Sequence, residues 1–281
     1  SRGLGDVYKR QDDNKWIECL ADRHVGCVSQ PVRDAWKILF NDIYVQVPRT
    51  LGTLPGYRPV LNKNSEKRTS NVYGNVELLE VWRKLNDAPS DRRDAFRLDL
   101  ITVGRQVLGN YFLDVKMEFD RMVEAKDYQA LKACGEKMKE ILNDLDKLNA
   151  FHPYCSLDKW MDDARKMGDS PRLKDYYEKN ARNLITTWGG SLNDYASRSW
   201  AGLISDYYAK RWEVYINTFI NAAEKGVEVD QQQLEDELKE IEAGWVNATD
   251  RKNIRKDVHS TNDGLLSFST FLFSKYQRLV K

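Results

Sequence analysis

Apolar side chains recur at helical spacing along most of this chain, and that pattern restricts it to a helical fold. A helix from Ser90 or Asp91 to about Glu124 shows it best. Its apolar face comprises Phe96, Leu100, Val103, Val107, Tyr111, Val115, Met117 and Phe119. Such a stripe buries one side of a helix against its neighbours. No stretch shows the alternation of a β-strand, so we predict an all-α multi-helix bundle.

Capping residues and helix breakers divide the rest of the chain into further helices. Ser170 is placed to cap one of them, with Pro171 in its first turn. The segment from Ser191 to about Lys225 is predicted to be one long, unbroken helix. The other predicted helices span 16–47 (in two parts, separated near 26–31), 76–85, 127–149, 156–167, 171–188, 230–245 and 264–280.

One irregular segment, near residues 48–75, interrupts the helical pattern. It is rich in proline and glycine, with Pro48, Gly52, Pro55, Gly56, Pro59 and Gly74. Loops of this length within a compact domain are often functional. We therefore expect the segment to pack on a neighbouring domain outside this chain.

The charge balance excludes several classes of function. The formal net charge is +1, which gives no electrostatic basis for binding nucleic acid or an anionic membrane. No run of about 20 apolar residues is available to span a bilayer.

The cysteines Cys19, Cys27, Cys134 and Cys155 form no Cys-x-x-Cys pair, so no metal site is predicted, and they are expected to be free, mostly buried thiols. The histidines His24 and His152 are expected to be satisfied by local partners.

Residues 182–212 form the most distinctive stretch, because three tryptophans, three tyrosines and three arginines fall within it. A helix is predicted to end at Trp188. Gly189 and Gly190 then make a turn, since glycine tolerates the left-handed backbone, and Ser191 or Asn193 caps the next helix. Aromatic and guanidinium groups at such a junction suit the recognition of a sugar or of a partner protein.

An ordered series of motifs in and around this stretch resembles a known family. Within it the motifs are Asn183-Leu184-Ile185-Thr186-Thr187-Trp188-Gly189, Asp194-Tyr195-Ala196, Trp200-Ala201-Gly202-Leu203, Asp206-Tyr207-Tyr208 and Arg211-Trp212. Upstream they are Arg58-Pro59, Trp82-Arg83-Lys84-Leu85, Asp99 to Gln106 and Tyr176 to Arg182. The chain resembles the C-terminal helical domain of the α-N-acetylglucosaminidases, which are retaining glycoside hydrolases.

The resemblance implies a function for a longer parent protein. The parent would hydrolyse terminal α-linked N-acetylglucosamine from glycans, without a cofactor. Its two catalytic glutamates would lie on an N-terminal barrel domain, against which this domain packs, and no catalytic residue is expected in this chain. We accordingly interpret Glu77, Glu80, Glu178, Glu213, Glu235, Glu237 and Glu240 as solvated side chains on helix surfaces. The family is lysosomal in animals and exported in many bacteria, which leaves the compartment unassigned.

The resemblance also implies two substrate-binding residues, Trp188 and Tyr195. They would form a wall of the sugar pocket, by stacking an indole on the sugar and by offering a hydroxyl. The alternative is that both are ordinary core aromatics. The Trp188–Tyr195 turn is shorter than is usual in the family. Arg182 is predicted to be structural, holding a neighbouring helix, and a stripe of aromatics is predicted to be core: Tyr207, Tyr208, Trp212, Tyr215 and Phe219.

The domain boundaries follow from where the resemblance begins. Residues 1–14 are polar and aperiodic, and we predict that they are a non-native or disordered leader. Residues 15–281 are predicted to be the helical domain, with the barrel domain encoded upstream. The alternative function is an all-α protein-interaction scaffold without a catalytic role. A barrel with two glutamates upstream would favour the enzyme, and an unrelated domain would favour the scaffold.

Overall fold

A computed structural model describes residues 12–45, 54–61, 75–90, 93–188, 194, 196–249 and 264–278. Throughout these ranges the regular structure is helical and there is no strand, which confirms the predicted all-α class. The helices are α1 (Asp13–Val25), α2 (Gln30–Ile38), α3 (Asn75–Asn86), α4 (Asp94–Ala125), α5 (Tyr128–Asn149), α6 (Leu157–Lys166), α7 (Pro171–Ile185), α8 (Ala209–Lys225), α9 (Gln231–Asn247) and α10 (Leu265–Tyr276).

Local side-chain chemistry explains where several helices begin and end. The Ser170 hydroxyl accepts the Leu173 N–H at the start of α7, as the sequence predicts, and Asp230 accepts the Gln233 N–H at the start of α9. Each cap satisfies a backbone donor that the first turn leaves without a partner. Gly26 ends α1 in the left-handed conformation, with φ 86°.

The chain divides into two compact units. The first comprises residues 1–48, 72–107 and 262–281, and therefore holds α1, α2, α3, the start of α4 and α10. Trp82 is buried there, and its indole N–H donates to the Ser269 hydroxyl at 2.8 Å. The Ser269 hydroxyl in turn donates to the side-chain oxygen of Asn86 at 2.7 Å. These bonds join α3 to α10.

The second unit comprises residues 49–71 and 108–261, with α5 to α9 and the remainder of α4. All five aromatics of the predicted core stripe, Tyr207 to Phe219, are buried in it. Phe112 of α4 meets Trp212 of α8 edge to face, with ring centroids 5.0 Å apart. Such aromatic pairs stabilise a core beyond the area they bury. The prediction that this stripe is core is confirmed.

The described part of the irregular segment packs on this second unit. The Pro55 carbonyl accepts the indole N–H of Trp212 at 3.1 Å, and the Val60 carbonyl accepts the Lys116 ammonium at 2.9 Å. Two of the backbone carbonyls of residues 54–61 thus find donors within this chain. The packing of the segment on a neighbouring domain stays a prediction. The rest of the segment lies outside the described residues.

The prediction of one long helix from Ser191 to Lys225 was wrong. Ala201 instead forms a two-way backbone bridge: its N–H donates to Cys155 and its carbonyl accepts from Leu157, at 2.8 and 2.9 Å. Gly202 follows with φ 84°, a left-handed conformation that does not occur inside a right-handed helix. The helix therefore starts only after Gly202, with a π-helical turn at Ile204–Tyr208 that leads into α8.

The cysteines and histidines behave partly as expected. The four thiols are free, as predicted, but only Cys155 is buried; Cys19 and Cys27 are exposed and Cys134 is half-buried. The His24 ring lies 2.7 Å from the Asp99 carboxylate, and the His152 ring accepts the Tyr154 N–H. Both histidines therefore have local partners.

In the parts of the chain that the structure covers, no cluster of ligands could hold a metal, and no helix is long and apolar enough to cross a bilayer.

Two helical glycines should respond in opposite ways to alanine. A Cβ on Gly135 of α5 would lie 2.6 Å from a methyl group of Ile216, whereas a Cβ on Gly244 of α9 would meet nothing within 4 Å. We expect Gly135→Ala to destabilise the chain by about 1–3 kcal/mol through overpacking. Gly244→Ala should stabilise it by up to about 1 kcal/mol, because alanine is the better helix former. Urea unfolding of both variants gives the two changes in free energy of unfolding. Equal changes would contradict the close contact between Gly135 and Ile216.

Candidate functional site

Trp188 lies at the outer end of α7, in a turn formed by residues 186–188. Its side chain is 41% exposed, although Ile185 and Thr186 just before it are buried. Trp188 is therefore not an ordinary core aromatic. A large, rigid, partly solvated indole at a helix end is available to contact a group outside the bundle. Tyr195, the second predicted binding residue, lies outside the described residues.

The turn that carries Trp188 is held on both sides. The Thr186 hydroxyl donates to the Arg182 carbonyl at 2.7 Å, and the Thr187 hydroxyl donates to the side-chain oxygen of Asn183 at 2.8 Å. The Asp194 N–H donates to the Thr186 carbonyl at 2.7 Å. Thr186 and Asp194 are thus joined by a backbone hydrogen bond. Thr186 and Asp194 are both buried, so this bond is shielded from water.

The carboxylate of Asp194 is held by Arg211 from the first turn of α8. The two guanidinium Nη atoms of Arg211 each donate to one oxygen of Asp194, both at 3.0 Å. The Asp194 side chain is 2% exposed and the Arg211 side chain is 0% exposed. The Arg211 guanidinium also lies over the Tyr207 ring, 4.2 Å from its centroid. A bidentate, charge-assisted pair of this kind fixes orientation as well as distance.

This pair belongs to a larger group that we call the arginine–carboxylate cluster: Arg58, Asp194, Arg211, Glu235 and Glu242. Arg211 also donates to Glu242 at 3.1 Å, and Arg58 donates to the same Glu242 oxygen at 2.8 Å. Arg58 then pairs with the half-exposed Glu235 at 2.6 Å. Two cations and three carboxylates thus connect the buried Asp194 to the surface. Asp194 and Glu242 serve as ion-pair partners in this arrangement.

Arg182 has the structural role that the sequence predicts. It donates to Glu178 at 2.7 and 3.0 Å and to the Trp245 carbonyl at 3.3 Å. Its guanidinium also lies 4.3 Å from the centroid of the Trp245 ring. Arg182 therefore fastens α7 to α9.

The sequence of the chain matches a family model described as the α-N-acetylglucosaminidase (NAGLU) C-terminal domain, over residues 16–267. The chain belongs to this family. It is also 29% identical over 245 residues to human α-N-acetylglucosaminidase, covering 84% of this chain and 32% of that protein.

Solved structures from Clostridium perfringens share the fold of this C-terminal domain. One is a family 89 glycoside hydrolase in complex with 2-acetamido-1,2-dideoxynojirmycin, with a TM-score of 0.82 and 22% identity, covering 95% of this chain and 32% of that one. Another is a variant enzyme in complex with its substrate GlcNAc-alpha-1,4-galactose, with a TM-score of 0.83 and 22% identity, covering 97% and 33%. The chain spans about a third of the length of these relatives.

The seven glutamates predicted to be solvated differ in exposure, and Glu80, Glu235 and Glu237 are half-buried. Glu77, Glu213 and Glu240 are exposed, as predicted for solvated helix surfaces. Glu178 contradicts that prediction, because it is fully buried and pairs with Arg165 and Arg182. The signal was present in the sequence: Glu178 and Arg182 are four residues apart and share a helix face with the apolar Ala181 and Ile185.

The Asp194–Arg211 pair is the feature that sequence reasoning missed. Both residues are part of the motifs that carry the resemblance, yet neither was assigned a role. They are 17 residues apart, and the intervening bridge at Ala201 brings them together. No periodicity along a single helix could have indicated this contact.

Proposed function

We propose that this chain is the C-terminal domain of an exo-α-N-acetylglucosaminidase. The parent hydrolyses terminal α-linked N-acetylglucosamine from glycans with retention of configuration. Membership of the family supports this proposal, and so do the relatives whose names carry that activity. It is favoured over an interaction scaffold because the family is one of hydrolases.

In this proposal the domain contributes a wall of the sugar pocket. The observation that carries it is the half-exposed Trp188 at the end of α7, on a turn held by buried hydrogen bonds. The face of an indole stacks on the C–H groups of a sugar, and its N–H offers one hydrogen bond. Tyr195 follows in the same stretch, and we assign its hydroxyl to a sugar hydroxyl.

The bond-breaking step belongs to another domain of the parent, an N-terminal barrel. Retaining glycosidases need two carboxyl groups about 5 Å apart, one as nucleophile and one as acid and base. The buried carboxylates Asp194 and Glu242 do not fit that role, because Asp194 is paired with Arg211, and Glu242 with both Arg211 and Arg58. A free catalytic acid needs a carboxyl that can exchange a proton during the reaction.

Placing the bond-breaking step on the barrel domain predicts different activities for the full parent and for this chain alone. The full parent should cleave an aryl α-N-acetylglucosaminide and release the sugar with its α configuration, as followed by proton NMR. The 281-residue chain alone should show no turnover above background. Turnover by the isolated chain that is lost when one of its own glutamates is changed would contradict the assignment. A parent without the activity would favour the scaffold.

A further inference from the structure

We infer that Asp194 and Arg211 are positioning residues, which set the Trp188 turn in place for the reaction. The inference rests on the proposed contact between Trp188 and the sugar. It goes beyond that proposal because it assigns a role to two buried residues that do not touch substrate. Their effect on the reaction passes through the position of the indole.

Asp194 is held at both its backbone and its side chain. Its N–H donates to the carbonyl of Thr186, two residues before Trp188. Its carboxylate receives both Nη groups of Arg211. A movement of the Asp194 side chain is therefore transmitted to the turn through one short backbone link.

Arg211 is a fixed anchor for Asp194. It is fully buried on α8, and its guanidinium lies against the rings of Tyr207 and Tyr208, at 4.2 and 5.5 Å from their centroids. Glu242 of α9 accepts a further hydrogen bond from it. The planar guanidinium is thus confined by rings and carboxylates together, so its donors point in one direction.

The charges of Asp194 and Arg211 give this place a defined orientation at a cost in stability. Burying two charges is costly, and well-packed apolar residues often give equal or greater stability. A bidentate pair adds a defined orientation, which apolar packing supplies less sharply. Asp194 also adopts φ 60°, a backbone conformation that is unfavourable for most residues and is tolerated by Asp and Asn. The pair therefore selects one conformation of the backbone beside the turn.

The position of Trp188 can be read in this chain without any substrate. The protein is labelled with 5-fluorotryptophan and its fluorine NMR spectrum is recorded; the eight tryptophans give separate signals, and a Trp188→Phe variant identifies the one from Trp188. We expect Asp194→Asn to shift or broaden the Trp188 signal. Asparagine keeps the shape and tolerates the same φ, but it loses the charge and replaces one acceptor oxygen by an NH2 donor, so the bidentate contact with Arg211 cannot form.

Two further variants separate positioning from general destabilisation. Arg211→Lys keeps the buried charge and loses the bidentate geometry, so it should also move the Trp188 signal. Asp99→Asn is the matched control, because it removes a carboxylate that pairs with His24 in the first unit. It should leave the signal where it is. An unchanged Trp188 signal in folded Asp194→Asn and Arg211→Lys overturns the inference, and so does an equal change in the control.

The consequence for catalysis is measured in the full parent. Asp194→Asn should lower kcat/KM about tenfold, and in a Trp188→Ala background it should cause little further loss, because the two residues act as one unit. Independent, multiplying losses would overturn the inference. If Trp188→Ala leaves kcat/KM unchanged while the fluorine signal responds to Asp194→Asn, the proposed sugar contact fails and with it the role of the pair in the reaction, although the pair still holds the turn.

Discussion

Arg211→Met is expected to destabilise this chain by about 3–5 kcal/mol, because it leaves a buried carboxylate without its partner. Methionine fills much of the same volume but cannot donate to Asp194, whose side chain is 2% exposed. Glu242 keeps its bond to Arg58, so most of the cost falls on Asp194. A loss of this size is a large part of the stability of a typical domain. Urea unfolding, monitored by circular dichroism, gives the change in free energy of unfolding.

Two comparisons make the Arg211 result specific. Arg83→Met removes an arginine that also pairs with two carboxylates, Glu80 and Asp87, but is 45% exposed. It should cost less than about 1 kcal/mol, as exposed ion pairs usually do. The double variant Asp194→Asn with Arg211→Met removes both charges, and it should recover part of the stability that Arg211→Met loses. If Arg211→Met costs no more than Arg83→Met, the charge pair is not important for stability.

The elements whose signals are local were predictable from the sequence. The start of α7 follows from Ser170 and Pro171, and the start of α9 follows from Asp230. The core aromatics of α8 follow from their spacing. In each case the residues that determine the structure lie within one or two turns of each other, so the pattern alone identifies them.

The features that sequence reasoning missed depend on contacts that are distant along the chain. The bridge between Ala201 and the residues on either side of Ser156 interrupts a stretch that has good helical spacing. Glu178 was placed at the surface because isolated glutamates usually lie there. It is buried because Arg165 and Arg182 neutralise it together. Predicting the Asp194–Arg211 pair likewise requires the tertiary structure.

The candidate site was predictable only in part. The position of Trp188 at the end of a helix follows from the two glycines after it, and its partial exposure agrees with a site at the rim of the bundle. Its contact with a sugar stays a prediction. The structure was needed to find the contacts that hold the Trp188 turn. They are made by Asp194 and by the rest of the arginine–carboxylate cluster.

The most direct test of this account is Trp188→Ala in the full parent, with both kcat/KM and the unfolding midpoint measured. We expect kcat/KM to fall about tenfold, since a lost aromatic contact removes up to about 1.4 kcal/mol of transition-state stabilisation. The midpoint should change little, because the side chain is 41% exposed. A buried tryptophan would instead cost about 3–5 kcal/mol of stability. A midpoint that collapses while the folded enzyme keeps its normal kcat/KM would contradict the account.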